Sequence, residues 1–195
     1  RDYTIKDFSS TVMTLCDHLD IEKAYFLGNS MGGAIVQQIA YSYPGRVKKA
    51  VISNSFMNAN ELAFSLFAKA RESWFDLGLS QEVVTHAMLS WCFSGVFLSK
   101  ENIQLISDLN LNNPYPQTKE GYCFQFKALV NFDSSSWIRK IKTLCLFIAS
   151  DEDAISFPSQ ILKMSKHVKG SQYLLFEGPG HLPHIEKPKL YSDKV

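Results

Sequence analysis

Gly28-Asn29-Ser30-Met31-Gly32-Gly33 lies between an apolar run, Ala24-Tyr25-Phe26-Leu27, and a helix-like run, Ala34-Ile35-Val36 through Ala40. The apolar run predicts a buried strand, and the stretch after the glycines predicts a helix closed near Pro44-Gly45. The junction has the G-x-S-x-G pattern of a sharp strand-to-helix turn that lifts a serine above the edge of a sheet. Gly28 and Gly32 are expected to be glycine because a side chain would strike neighbouring backbone in so tight a turn. The helix start offers unbonded N–H groups and a positive dipole end beside Ser30. The backbone N–H of Met31 is the expected donor to an oxyanion.

Working outward, Ile5, Phe8, Val12, Leu15 and Leu19 recur every three or four residues and predict a helix upstream. Val47 to Ser53 reads as a second strand. Strands alternating with helices predict a parallel sheet. From about Asn58 to Asp133 the alternation stops. Helical spacing recurs in Ala63, Leu66, Phe67 and Ala70, then in Val83, Val84, Ala87 and Met88, and again in Ile103, Ile106 and Leu109. A break at Asn112-Asn113-Pro114-Tyr115-Pro116 precedes a further helix carrying Tyr122, Phe126 and Leu129. Aromatic residues crowd this stretch, among them Phe64, Phe67, Trp74, Trp91 and Phe93. They fit either helix-packing core or the lining of an apolar substrate pocket. Alternation then resumes. Thr143 to Ala149 predicts a buried strand, Ile161 to Val168 a helix and Tyr173 to Phe176 a last strand. The expected domains are therefore a core part at 1–57, a helical cap at 58–133 and a second core part at 134–195.

A serine hydroxyl needs a base, and the base needs an orienting partner. Ser150-Asp151-Glu152-Asp153 follows one strand and offers three acids. Gly178-Pro179-Gly180-His181-Leu182-Pro183-His184 follows the next. The order serine, acid, histidine, each after its own strand, points to His181 as the base. His184 is expected to be a hydrogen-bonding loop residue. Asn29 either lines the pocket or tolerates an awkward turn angle.

Composition bounds the rest. The chain has 195 residues, 46% of them hydrophobic, and a formal net charge of +1. Balanced charge gives no argument for nucleic acid or an anionic membrane surface. No apolar stretch approaches the roughly 18 residues of a membrane-spanning helix. Cys16, Cys92, Cys123 and Cys145 lack metal-ligand spacing and are expected to be free thiols in a reducing, cytoplasmic setting. No phosphate-loop pattern G-x-x-x-x-G-K-[ST] is present.

The whole chain resembles the α/β-hydrolase family. Tyr3-Thr4-Ile5-Lys6-Asp7-Phe8, Leu19-Asp20-Ile21-Glu22-Lys23 and Gly28-Asn29-Ser30-Met31-Gly32-Gly33 are similar to its elbow region. Trp137-Ile138-Arg139-Lys140-Ile141-Lys142, the strand after it and Asp151-Glu152-Asp153 are similar to its acid region. The family's acid is the last of such a group, which implies Asp153. Gly180-His181-Leu182-Pro183-His184-Ile185-Glu186-Lys187-Pro188 is similar to the family's histidine ending, whose first histidine implies the catalytic role for His181.

The resemblance implies an α/β fold, a mostly parallel sheet with helices on both faces and a helical cap. It implies a serine hydrolase acting on a carboxylic ester or lactone, like small carboxylesterases and enol-lactonases, with no metal or organic cofactor. Pocket-lining roles are expected for Asn29, Trp74, Trp91, Phe93 and Leu182. Relatives with an aspartate nucleophile are disfavoured by Ser30. The alternative is a carbon–carbon bond hydrolase of ring-cleavage products. That chemistry calls for a cation facing a substrate carboxylate; Arg71 is the candidate, or else a solvated helix charge. The resemblance also implies N-terminal strands and a second oxyanion loop that this sequence does not contain. The expectations that follow are a truncated chain, one acting only in binding if it is inactive, and a homodimer through an exposed strand edge.

Overall fold

A computed structural model describes residues 2–59 and 62–195, with the side chains of residues 62–65, 67 and 68 left aside. Phe64 and Phe67 thus lie outside the described side chains. Helix α1 (Ile5–His18) leads into β1 (Ala24–Asn29), α2 (Met31–Ser42) and β2 (Val47–Ser53). Four helices follow: α3 (Leu62–Asp76), α4 (Gln81–Cys92), α5 (Lys100–Leu111) and α6 (Lys119–Val130). The alternation then returns with β3 (Cys145–Ser150), α7 (Pro158–Ser165), β4 (Gln172–Phe176), α8 (Pro183–Glu186) and α9 (Pro188–Lys194). The expected strands are all present, their ends within two residues of the sequence reading. Helix α2 begins at Met31, directly after the serine, rather than at Ala34.

The start of α1 is fixed by a reciprocal cap. Thr4 Oγ1 accepts from the Asp7 N–H at 3.1 Å, and the Asp7 carboxylate accepts from the Thr4 N–H at 2.9 Å. The strands pair in the order β1-β2-β3-β4, all parallel. All four C-terminal ends therefore lie along one edge of the sheet. Register rows place Phe26, Ala50 and Cys145 on one face, with Ile52, Phe147 and Ala149 beside them. This face packs on α1, α2 and α7 through Met13, Val36, Ile39, Ile161 and Met164. Its alternation of small and large residues lets the helices settle on a continuous apolar layer.

The other face is less covered. Tyr191 of α9 packs on Ile148 and Phe176. Away from it, Tyr25 is 68% and Leu27 49% exposed, and Leu144 is exposed too. Together with Lys49, Val51 and Leu146 they line an open cavity of about 430 Å³. Helices thus lie on both faces, as expected, with α9 covering only part of this one. Among the described residues β1 pairs on one side only.

Helices α3 to α6 all fall between β2 and β3. A single antiparallel bridge joins Asn58 to Asp133 and brings the entry and exit of this helical stretch together. Among the described residues no helix is long and apolar enough to cross a membrane.

The turn between β1 and α2 is tight for a reason different in part from the one expected. A Cβ on Gly28 would stand 2.1 Å from the Gly32 carbonyl oxygen, and one on Gly33 would stand 2.5 Å from the Ser55 Cβ. A Cβ on Gly32 meets nothing within 4 Å. Gly32 is thus the backbone that Gly28 must clear, not a position that itself needs glycine. Gly28→Ala is expected to lower unfolding free energy by about 3 kcal/mol through this overlap. Gly32→Ala is expected to change it by less than about 1 kcal/mol. Urea denaturation of the two variants measures the difference.

Candidate active site

The parallel register brings four strand ends together, and the chain leaves each of them through a polar turn. After β1, Ser30 adopts φ 54°, ψ −120°, a left-handed conformation rare for a residue with a side chain. The strain is held by its surroundings. The Ser30 N–H donates to the Ser53 carbonyl at 3.0 Å, and the Ser30 carbonyl accepts from the Gly33 N–H at 2.9 Å and the Ser55 hydroxyl at 2.8 Å. Met31 opens α2, where the first N–H groups have no intrahelical acceptor.

After β3, the loop turns back on itself around Asp153. Its Oδ1 accepts from the N–H groups of Ile155 at 2.8 Å and Ser156 at 2.9 Å. Its Oδ2 accepts from Asn54 Nδ2 at 2.8 Å and faces His181 Nδ1 at 2.9 Å. Asp153 is 3% and His181 5% exposed. Asp151, two residues earlier, is exposed and holds the Gly178 N–H at 2.6 Å. The two acids therefore divide the work: one meets the histidine, the other fixes the turn at Gly178, which has φ +94°.

The histidine loop after β4 is clamped from two sides. The His181 N–H donates to the Cys92 carbonyl at 2.9 Å, at the end of α4. A Cβ on Gly180 would stand 2.9 Å from the Phe93 carbonyl carbon and the Ser94 nitrogen, so only glycine allows this approach. The Glu186 carboxylate accepts from the N–H of Gly180 at 2.8 Å, the N–H of Ser94 at 3.1 Å and the hydroxyl of Ser94 at 2.5 Å. On the opposite side, Asn29 Nδ2 donates to the His181 carbonyl at 3.3 Å, while Asn29 Oδ1 is buried without a partner. Asn29 has no positive φ, so it is not there to tolerate a turn angle. No hydrogen bond joins the Ser30 hydroxyl to the His181 ring. In ligand-free sites such bonds are commonly long and close on substrate.

The other expected residues divide. Phe93 and Leu182 line a cavity of about 390 Å³ between α4, α5 and α8. Trp91 packs in the apolar cluster that also receives Met31, Met88 and Cys92. Trp74 is half-buried on α3 and lies outside that cavity. Arg71 does line it. His184 packs on the Tyr191 ring, centroids 5.8 Å apart, and makes no hydrogen bond. Burial, with the nearby His181 second, lowers its pKa. The expected hydrogen-bonding role is thus replaced by ring packing, because the imidazole sits half-buried against an aromatic. All four cysteines are free. Burial, helped by the charge of Asp153, pushes the Cys92 thiol up to about 12, so at neutral pH it is a protonated thiol.

Three residues at the site escaped the sequence reading. Asn54 follows β2 with φ 45° and spends its amide on Ser150 Oγ and Asp153. Ser156 completes the Asp153 turn and donates its hydroxyl to the Asn54 carbonyl at 3.0 Å. Glu186 lies in the quoted histidine segment, but nothing in its spacing tells that it reaches Ser94.

With this geometry in hand, the comparisons agree with the fold. The alpha/beta hydrolase fold family matches residues 1–188, and the chain belongs to that family. It is 24% identical over 196 residues to 3-oxoadipate enol-lactonase 2 of Acinetobacter baylyi, covering 99% of this chain and 70% of that protein. It is 26% identical over 187 residues to pyrrolizixenacetamide deacetylase of Xenorhabdus hominickii, covering 95% and 68%. The crystal structure of the enol-lactonase from Burkholderia xenovorans superposes with a TM-score of 0.86 at 22% identity, over 99% of this chain and 72% of that one. The chain is a hydrolase of the α/β fold.

Glu186→Ala strands three donors at the junction of α4 and the histidine loop. It is expected to cost about 2–3 kcal/mol of stability, as loss of hydrogen bonds to a charged group does. Asp151→Ala, at an exposed turn, is expected to cost about 1 kcal/mol or less. Chemical denaturation of both variants checks the ordering.

Proposed function

We propose that this enzyme is a serine hydrolase that cleaves a carboxylic ester or lactone through an acyl-enzyme, with Ser30 as nucleophile, His181 as base and Asp153 as its orienting acid. The observation that carries the reading is the buried 2.9 Å contact between Asp153 Oδ2 and His181 Nδ1. It leaves Nε2 as the ring atom available to a hydroxyl. Ser30 supports it, held at a positive φ on the same sheet edge one residue from the Asn29 amide that touches His181.

In this mechanism His181 Nε2 takes the Ser30 proton as Oγ attacks the carbonyl carbon. Asp153 stabilises the imidazolium. The Met31 N–H donates to the oxyanion. Collapse expels the alcohol, which takes the proton from Nε2. A water then gives its proton to His181 and attacks the acyl carbon, and Ser30 leaves with the proton returned. Helices α3 to α5, within the expected cap at 58–133, form one wall of the pocket, with the core parts at 1–57 and 134–195 supplying the reacting groups. Phe93 and Leu182 shape the acyl end, as their place in the cavity supports. The unpaired thiols support the reducing, cytoplasmic setting.

A homodimer is part of the same reading. The β1 edge and the exposed Tyr25 and Leu27 support it. Analytical ultracentrifugation is expected to give a dimer that Leu27→Lys shifts towards monomer; a monomer at all concentrations overturns the dimer.

With para-nitrophenyl acetate as substrate, Ser30→Ala and Asp153→Asn are each expected to lower kcat by about three to four orders of magnitude. Asp151→Asn is expected to stay within about tenfold of the parent, because its carboxylate binds a turn rather than the imidazole. Full activity in Ser30→Ala would overturn the reading.

A further inference from the structure

Arg71 is a half-buried cation that no anion meets among the described residues. Its guanidinium carbon lies 5.1 Å from the centroid of the Tyr122 ring and 6.0 Å from that of Phe75. One terminal nitrogen donates to the neutral Gln117 Oε1 at 2.9 Å. Among the described residues no carboxylate pairs with it. A lysine of the same helical region is different: Lys119 is paired with Asp76. Desolvation lowers the Arg71 pKa, and the groups that oppose this are Tyr122 and Cys92 rather than an acid. A desolvated charge left uncompensated is unfavourable, and a bound anion removes that penalty.

The guanidinium also faces the right space. It lines the 390 Å³ cavity together with Met88, Cys92, Phe93, Leu182 and Ile185. The other polar groups in that wall, Gln81, Thr85 and Asn110, are neutral. The cavity reaches the segment that follows the histidine, through Leu182 and Ile185. Leu182 follows His181, and the Cys92 carbonyl holds the His181 N–H. Cys92 thus touches both ends of this space: it lines the cavity with Arg71, and its carbonyl holds the histidine loop. A cavity of this size, largely apolar and with Arg71 as the one charged residue among those that line it, suits a small molecule with one anionic end.

We propose that Arg71 is the carboxylate anchor of the substrate pocket, and that the substrate is an ester or lactone bearing a free carboxylate, separated from the reacting carbonyl by apolar carbons. This rests on the reading of Ser30 as nucleophile. The rings of Tyr122 and Phe75 hold the guanidinium plane, and its planar fork meets a carboxylate through two parallel N–H groups. Binding the distant carboxylate positions the carbonyl near Ser30 and excludes water from the apolar segment between them.

The test compares monoethyl adipate with ethyl hexanoate, two esters of equal acyl length that differ in the terminal carboxylate. The ratio of their kcat/KM values is expected to favour the anionic ester. Arg71→Gln is expected to lower that ratio about tenfold or more, mainly through KM, as loss of charge-assisted hydrogen bonds does. Arg71→Lys, which keeps the charge but not the fork, is expected to fall between. A ratio unchanged in Arg71→Gln overturns the anchor. A second readout is calorimetric titration of monoethyl adipate into Ser30→Ala, with and without Arg71→Gln. Binding lost with Arg71 supports the anchor, and equal binding or none in Ser30→Ala overturns it. Retained ester hydrolysis in Ser30→Ala instead removes the serine reading while the titration still reports on Arg71.

Discussion

The Asp153 carboxylate is the point on which the arrangement depends. A buried anion is tolerated only when its lone pairs are filled. Here they are filled by two backbone N–H groups of its own loop, the Asn54 amide and the His181 ring. These donors come from three different places in the chain. Satisfying one carboxylate therefore fixes the loop after β3, the turn after β2 and the histidine loop after β4. The parallel sheet makes this meeting cheap, since every strand delivers its C-terminal end to the same edge.

A second constraint is steric. The β1–α2 turn closes only because Gly28 leaves room for the Gly32 carbonyl and Gly33 leaves room for Ser55. Ser55 in turn bonds the Ser30 carbonyl and holds the serine in its strained conformation. Close backbone approach recurs at Gly180, which lets the histidine loop lie against the end of α4. Glu186 ties the same two segments by hydrogen bonds. The helical stretch from α3 to α6 is thus coupled directly to the loop that carries His181, and a shift of α4 is felt at the imidazole.

Much of this was legible in the sequence. Short apolar runs marked all four strands; in β2 and β3, the central pair, the run follows from burial on both faces, which leaves little room for polar residues. The serine turn was legible because its glycines and its place between strand and helix leave few other conformations. The choice between Asp151 and Asp153 was not legible from the residues alone. It depends on which carboxylate the loop turns inward to meet His181, and that is a matter of the folded loop rather than of residue type. Asn54 and Ser156 gave no signal because a polar residue after a strand reads as an ordinary turn, and Glu186 because an acid at a helix end reads as a solvated charge. Their work depends on partners about 90 to 100 residues away. His184 was misread because its partner, the Tyr191 ring, lies on the next helix.

The most direct measurement is to label the folded protein with a fluorophosphonate and locate the adduct by peptide mass spectrometry. Phosphonylation requires a serine activated by its base. The expected result is a single adduct on Ser30 that is lost in His181→Ala. An adduct on another serine, or none on a chain shown by circular dichroism to be folded, would contradict the assignment of Ser30 as the nucleophile.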